Sequence, residues 1–322
     1  MELKGKKINF LGDSITEGVG ATDPEAMYVN IVKHDAELAE ARNYGISGTR
    51  IARQSNDEGS AYCDRYKKMD DDADVVVVFG GTNDFGHGDA PLGTMADRTP
   101  DTFYGALHCL YTALTEKYPD VPYFLMGHSM GSFLTRTYLI RYPGTVDAAI
   151  IMGTGHQSPA VVAGGRAIAG AAGKRHGFDA HSPRVENLAF GAYNKAFAPN
   201  RTEVDWLSVS ENNVDAYIAD PLCGQKASIG LFYEMLGGIR FVSAQKNINS
   251  MNLNTPILFI AGDKDPVGEM GKGVRRAYNA FRRAGVRDLE LKLYEGLRHE
   301  ILNEDCRAVV YNDLWSRIEK HL

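Results

Sequence analysis

The chain has 322 residues, 44% apolar and 24% charged, and a net charge of −6. That length holds one α/β domain with an insertion or two modest domains, and an acidic balance without a basic tract argues for solubility and against a nucleic-acid partner. Cys63, Cys109, Cys223 and Cys306 are far apart with no CxxC pair, so free thiols are expected rather than a metal knuckle or a disulfide framework.

No run approaches the roughly 18 apolar residues of an integral membrane segment. Residues 1–7 lead straight towards a strand without the apolar stretch of an export signal, so the expected compartment is the cytoplasm. Residues 7–11 read as the first strand. Asp23, Pro24 and Glu25 then give a helix start with an N-cap, a first-turn proline and an acidic first turn. Residues 37–44 make a weaker second strand. Val75–Phe79 is β-branched and apolar on both faces, the pattern of a central parallel strand. A helix is predicted over 101–118, with Phe103, Leu107, Leu110, Leu114 and Tyr118 at helical spacing. Strands follow at 123–126, Ala148–Met152, 257–261 and Leu289–Tyr294, the last two separated by a helix ending before Gly285. Between Gly153 and Thr255 the alternation stops and helical patterns take over.

The fold class expected is therefore α/β: a doubly wound, mostly parallel sheet with helices on both faces and a helical cap insertion. One continuous sheet is expected through the chain. Residues 1–120 form its front, 121–156 and 255–322 its remainder, and 157–254 the cap.

The chemistry gathers where strands end. Strand 123–126 runs into Gly127-His128-Ser129-Met130-Gly131 and then a helical stretch over 133–142, the context of a nucleophile elbow. A serine hydroxyl needs a histidine to take its proton and a carboxylate to orient that histidine. Downstream, strand 257–261 ends in Asp263-Lys264-Asp265-Pro266, and Leu289–Tyr294 is followed by Arg298-His299-Glu300. Ser129, an aspartate and His299 thus stand in the chain order that the elbow predicts.

From about residue 118 onward the chain resembles a capped α/β-hydrolase of the monoacylglycerol lipase and lysophospholipase group. The likeness rests on YFLMGHSMGSFLTRTYLIRYP, DPLCG, PILFIAGDKDPVG and LYEGLRHEILNE. It implies Asp265 as the acid, with Asp263 as the alternative, His299 as the general base and the amide of Met130 as one oxyanion donor. The first 119 residues resemble another family, the SGNH (GDSL-type) esterases, through GDSITEG at 12–18, NYGISG at 43–48 and GTND at 81–84. That likeness implies Ser14 as a nucleophile, with Gly48 and Asn83 holding the oxyanion. The family's Asp-x-x-His near the carboxyl terminus is missing, and Asp84-Phe85-Gly86-His87 is in the wrong place for it. The chain therefore looks like the front of one hydrolase joined near 117–120 to the back of another, as a natural hybrid, an engineered recombinant or a cloning artefact.

In one continuous sheet the loop 80–83, with Gly81 and Asn83, is expected one strand from Ser129, as a source of the second oxyanion donor. Ser14 is expected two strands away, roughly 10 Å by strand spacing. The bland alternative is that Ser14 and Asn83 only cap turns and helix ends. The activity expected is hydrolysis of a small-molecule carboxylic ester through an acyl-enzyme, with no cofactor and no metal. Two other readings stay open: an esterase using Ser14 with His299 or His87 as base, and a catalytically dead chimera acting as a binding or structural module.

Overall fold

Ile8, Phe10 and Leu11 are all buried, and they make strand β1 (Lys7–Gly12) the middle of a three-stranded parallel sheet. The structure, a computed structural model, describes residues 3–55, 59–94, 96–221 and 223–321, except the side chains of Phe85 and His87. The chain packs as two units, 1–122 and 123–322.

In the first unit β1 pairs with β2 (Glu40–Gly45) on one side and β3 (Val75–Phe79) on the other, Leu11 lying opposite Tyr44 and Val78. Around this sheet lie α1 (Ser14–Glu17), α2 (Tyr28–Asp35), α3 (Tyr62–Arg65), α4 (Thr82–His87) and α5 (Phe103–Lys117). The Asp23-Pro24-Glu25 signal starts a short 3-10 turn, Pro24–Ala26, with the Asp23 carboxylate accepting from the Ala26 amide, and α2 begins only after it. The predicted helix over 101–118 is α5, capped by Thr102, whose hydroxyl oxygen accepts from the Gly105 amide. Arg65 is buried, and its guanidinium donates to the carbonyls of Gly12 and Tyr44, tying together the ends of β1 and β2.

The second unit holds four parallel strands in the order β4 (Phe124–His128), β5 (Ala148–Met152), β6 (Ile257–Gly262) and β7 (Leu289–Tyr294). Both β5 and β6 are buried along their whole length, as interior strands of a parallel sheet must be. Helix α6 (Met130–Arg141) leaves directly from β4. Between β5 and β6 the chain forms α7 (Pro159–His176), α8 (Pro183–Phe190), α9 (Glu211–Ala219), α10 (Ile229–Ser243) and α11 (Gln245–Ile248). Helix α10 packs against both α7 and α6. Helix α12 (Lys272–Ala284) buries Val274, Ala277 and Phe281 against β6, Phe281 meeting Phe259 edge-on at 5.1 Å, and α13 (Arg307–Glu319) closes the chain. Among the described residues no helix is long and apolar enough to cross a membrane.

The fold class is the expected α/β one, with parallel strands and helices throughout. Two details differ. The strands pair as two sheets rather than one, and among the described residues β3 bonds only to β1. The valine strand is consequently an edge of its sheet, with Val75–Val78 half-buried and Phe79 49% exposed. A run of β-branched residues announces a strand; it does not say which of its two edges finds a partner.

Candidate active site

Strand β4 runs two residues further than its apolar pattern, through Gly127 and His128, and delivers Ser129 into φ 55°, ψ −119°. For a residue with a side chain this conformation costs on the order of 1–3 kcal/mol, so the surroundings must hold it. The Ser129 amide donates to the Met152 carbonyl of the neighbouring strand at 3.0 Å. Its carbonyl accepts from the Ser132 amide at 2.9 Å and the Ser132 hydroxyl at 2.5 Å. Gly127 permits the tight crossing of strand and helix, since a Cβ there would lie 2.3 Å from the Gly131 carbonyl oxygen and from Thr135 Oγ1. Gly131 differs: a Cβ on it would meet nothing within 4 Å. Ser129 is the cap of α6, so the amides of Met130 and Gly131 open the helix without intrahelical acceptors and with the positive end of its dipole.

Of the two candidate acids, Asp265 bonds to the histidine. Its Oδ2 lies 2.9 Å from His299 Nδ1, its Oδ1 accepts from the Val267 amide at 2.9 Å, and both it and His299 are buried. Asp263 braces the histidine loop from outside, accepting from the Gly296 amide at 2.8 Å. Gly262, between strand and acid loop, has no room for a side chain: a Cβ would fall 2.1 Å from the Leu297 carbonyl.

His299 is brought to the elbow by its neighbours. The His128 ring lies 4.5 Å from the His299 ring, and His128 Nε2 donates to the His299 carbonyl at 3.1 Å. Burial and the adjacent His299 push the His128 pKa below its ordinary value. A Cβ on Gly153, at the end of β5, would lie 3.2 Å from His299 Cε1. The Trp206 ring stands 5.2 Å from that of His299, and Tyr193 packs edge-on against Trp206. Burial, then the carboxylates of Asp265 and Glu269, raises Tyr193 to about 12. The segment carrying Trp206 is fastened to the histidine loop: the Glu300 amide donates to the Leu207 carbonyl, Arg298 to the Ser208 carbonyl, and the buried Glu304 carboxylate accepts from Ser208 Oγ and the Val209 amide.

Trp206 and Tyr193 lie outside the three strand-end loops, and His128 and Glu304, though within the quoted motifs, carry no spacing that marks their contacts with His299 and with the Ser208–Val209 segment. Arg136 was equally hidden. It projects from α6 into the core, fully buried, and donates to Thr154 Oγ1, the Gly155 carbonyl and, at 3.0 Å, the Val242 carbonyl. With no carboxylate among these partners, burial lowers its pKa to about 9.

The remaining expected residues belong to the first unit. Ser14 is half-buried at the start of α1, after Asp13, whose carboxylate accepts from the Ile15 amide. Asn83 Nδ2 donates to the Thr49 carbonyl at 3.0 Å and lies 3.5 Å from Asp13 Oδ2, which brings the three sequence blocks of that unit together. Gly48 and Gly81 take the left-handed backbone at φ 73° and 110°, Gly81 as the cap of α4. The side chain of His87 lies outside the described residues.

The profile of the family described as Hydrolase_4, Serine aminopeptidase, S33, matches residues 78–306, well over half of the chain. The chain belongs to this family. A monoacylglycerol lipase of Mycolicibacterium smegmatis is 31% identical over 208 residues, 64% of this chain and 65% of that protein. A monoglyceride lipase of Homo sapiens is 28% identical over 194 residues, 60% of this chain and 56% of that protein. The chain thus matches less than two thirds of the length of either relative. Among solved structures, a thermostable carboxyl esterase from Bacillus coagulans superposes with a TM-score of 0.64 at 21% identity, covering 99% of this chain and 91% of that one. A soluble variant of monoglyceride lipase from Saccharomyces cerevisiae gives 0.53 at 16% identity, covering 100% and 88%. These two likenesses concern the fold alone, and it is the fold of this family's α/β-hydrolases.

Proposed function

We propose that this chain is a serine hydrolase of carboxylic esters, with Ser129 as nucleophile, His299 as general base and Asp265 as its orienting acid. The observation that carries this reading is the buried 2.9 Å bond from Asp265 to His299 Nδ1, with the His299 ring 4.5 Å from that of His128, the residue next to a serine held at φ 55°. Asp265 fixes the tautomer that leaves Nε2 free to take the Ser129 proton, and stabilises the imidazolium that results. The serine attacks the ester carbonyl, the alcohol leaves with the proton that His299 returns, and water repeats the cycle to release the acid. The amide of Met130 meets the developing oxyanion, aided by the helix dipole.

The names of the two relatives and the aromatic cluster of Trp206, Tyr193 and Phe190, whose ring lies 6.5 Å from that of Trp206 and 5.7 Å from that of Tyr193, support an acyl or aryl ester with an apolar tail, such as a monoacylglycerol, a lysophospholipid or a synthetic short-chain ester. Hydrolysis of p-nitrophenyl butyrate and of a monoacylglycerol tests this. Ser129→Ala should lower kcat by at least about 10³. Undiminished turnover in that variant, or faster cleavage of an aminoacyl p-nitroanilide than of any ester, would overturn it.

One observation favours a second reading, an SGNH-type ester site in the first unit. Ser14, Asp13, Thr49 and Asn83 come from three separate loops and converge at strand ends. In this reading Ser14 attacks and Asn83 with Gly48 holds the oxyanion. Ser14→Ala in the same assays separates it from the first, which expects a loss of less than about tenfold because Ser14 has no base there.

A further inference from the structure

We propose that His299, His128 and Glu300 form a binding site for a divalent transition metal, Zn2+ above all, and that the ion inhibits the enzyme by occupying the lone pair of its general base. One nitrogen from each imidazole and one Glu300 carboxylate oxygen lie within 4.8 Å of one another. His128 Nδ1 is itself 4.0 Å from Glu300 Oε1. Two imidazoles and a carboxylate are a zinc-type donor set that leaves a fourth position open.

The hydrogen bonds around the cluster are those that metal-binding histidines require. Such a histidine donates through its other nitrogen to a carboxylate or a backbone carbonyl, which fixes the ring and raises its basicity. His299 Nδ1 has the Asp265 carboxylate, and His128 Nε2 has the His299 carbonyl. The opposite nitrogens, His299 Nε2 and His128 Nδ1, are thereby the ones with lone pairs to offer. Tetrahedral zinc needs its ligand atoms about 3.4 Å apart, so the cluster must draw in. The Glu300 side chain is half-buried and accepts at Oε2 from Asn303 Nδ2, a bond that must break or follow for the carboxylate to close on the ion.

Inhibition follows because Nε2 cannot hold a metal and accept the Ser129 proton together, so this consequence rests on the catalytic reading above. The binding itself does not. Calorimetric titration of Zn2+ into the full-length Ser129→Ala protein reads binding without turnover; one site is expected, weakened by about tenfold or more when Glu300→Gln is added. With the wild-type enzyme, Zn2+ should stop p-nitrophenyl butyrate hydrolysis and EDTA restore it. Measured against its own zinc-free rate, the Glu300→Gln enzyme should need about tenfold more zinc for the same fractional inhibition. Absence of binding, or binding indifferent to Glu300, would overturn the proposal. A protein that hydrolyses no ester but binds zinc through Glu300 would sink the catalytic reading and leave the metal site standing.

Discussion

Asp263 and Asp265 differ by two positions in one loop, yet only Asp265 reaches His299, because Asp263 is turned out towards the Gly296 amide. Loss of an orienting aspartate leaves a histidine in the wrong tautomer and lowers kcat by about 10⁴. Asp265→Asn should show a loss of that order, whereas Asp263→Asn should cost less than about tenfold, its effect passing only through the loop. Steady-state kinetics on the two variants check the ranking. The glycines of the elbow are separable too. Gly127→Ala should fail to fold or lose all turnover, since its Cβ would collide with the Gly131 carbonyl, while Gly131→Ala has open space to enter; soluble yield and circular dichroism of the two variants decide this. Ser129, Asp265 and His299 could be proposed from the sequence because each lies in the turn or loop that follows an apolar strand, and the carboxyl ends of parallel strands are where such sheets keep their sites. The contacts of Trp206 and His128 with His299 were not, because tertiary packing sets a ring's neighbours and leaves no spacing to read.

At the scale of elements, Arg136 joins three pieces: the elbow helix α6, the loop after β5 and the end of α10. Its removal would strip the buried carbonyls of Gly155 and Val242 of these donors and open a cavity, each a recognised source of large losses. Arg136→Ala should therefore lose about 3 kcal/mol or more of stability, measured by urea unfolding. Strand positions were readable from composition, and β5 and β6 lie where β-branched and aliphatic runs put them. Strand pairing was not. The expected continuous sheet required β3 to find a second partner, and which edges pair depends on contacts distant in sequence that a periodicity does not encode. The 3-10 turn at Pro24–Ala26 is a local case: proline and an acidic cap start a turn, but continuation needs an apolar face, and the helix proper waits for Tyr28 and Val29.

For the whole molecule, two half-buried histidines contribute to the response to acid. His156 has its Nδ1 buried with no hydrogen-bond partner among the described residues, and burial, then the charges of Arg136, Arg276 and Arg283, lowers its pKa from 6.5 to about 4. His128 is shifted the same way. A depressed histidine means that between these two values the unfolded chain binds more protons than the folded one, so stability falls as pH drops through that window and the loss is complete below it. For His156 the ceiling is about 3 kcal/mol, less what solvent screening at its exposed edge removes. Urea midpoints of the wild type should decline between pH 6.5 and 4, and those of His156→Phe should decline less; parallel curves would refute the assignment. The central claim is that the reacting serine is Ser129, and the most direct measurement is mass spectrometric mapping of a fluorophosphonate adduct on the full-length chain. The account predicts the adduct on the tryptic peptide containing Ser129, absent from Ser129→Ala and reduced in Asp265→Asn. An adduct on Ser14 with Ser129 unmodified would contradict it.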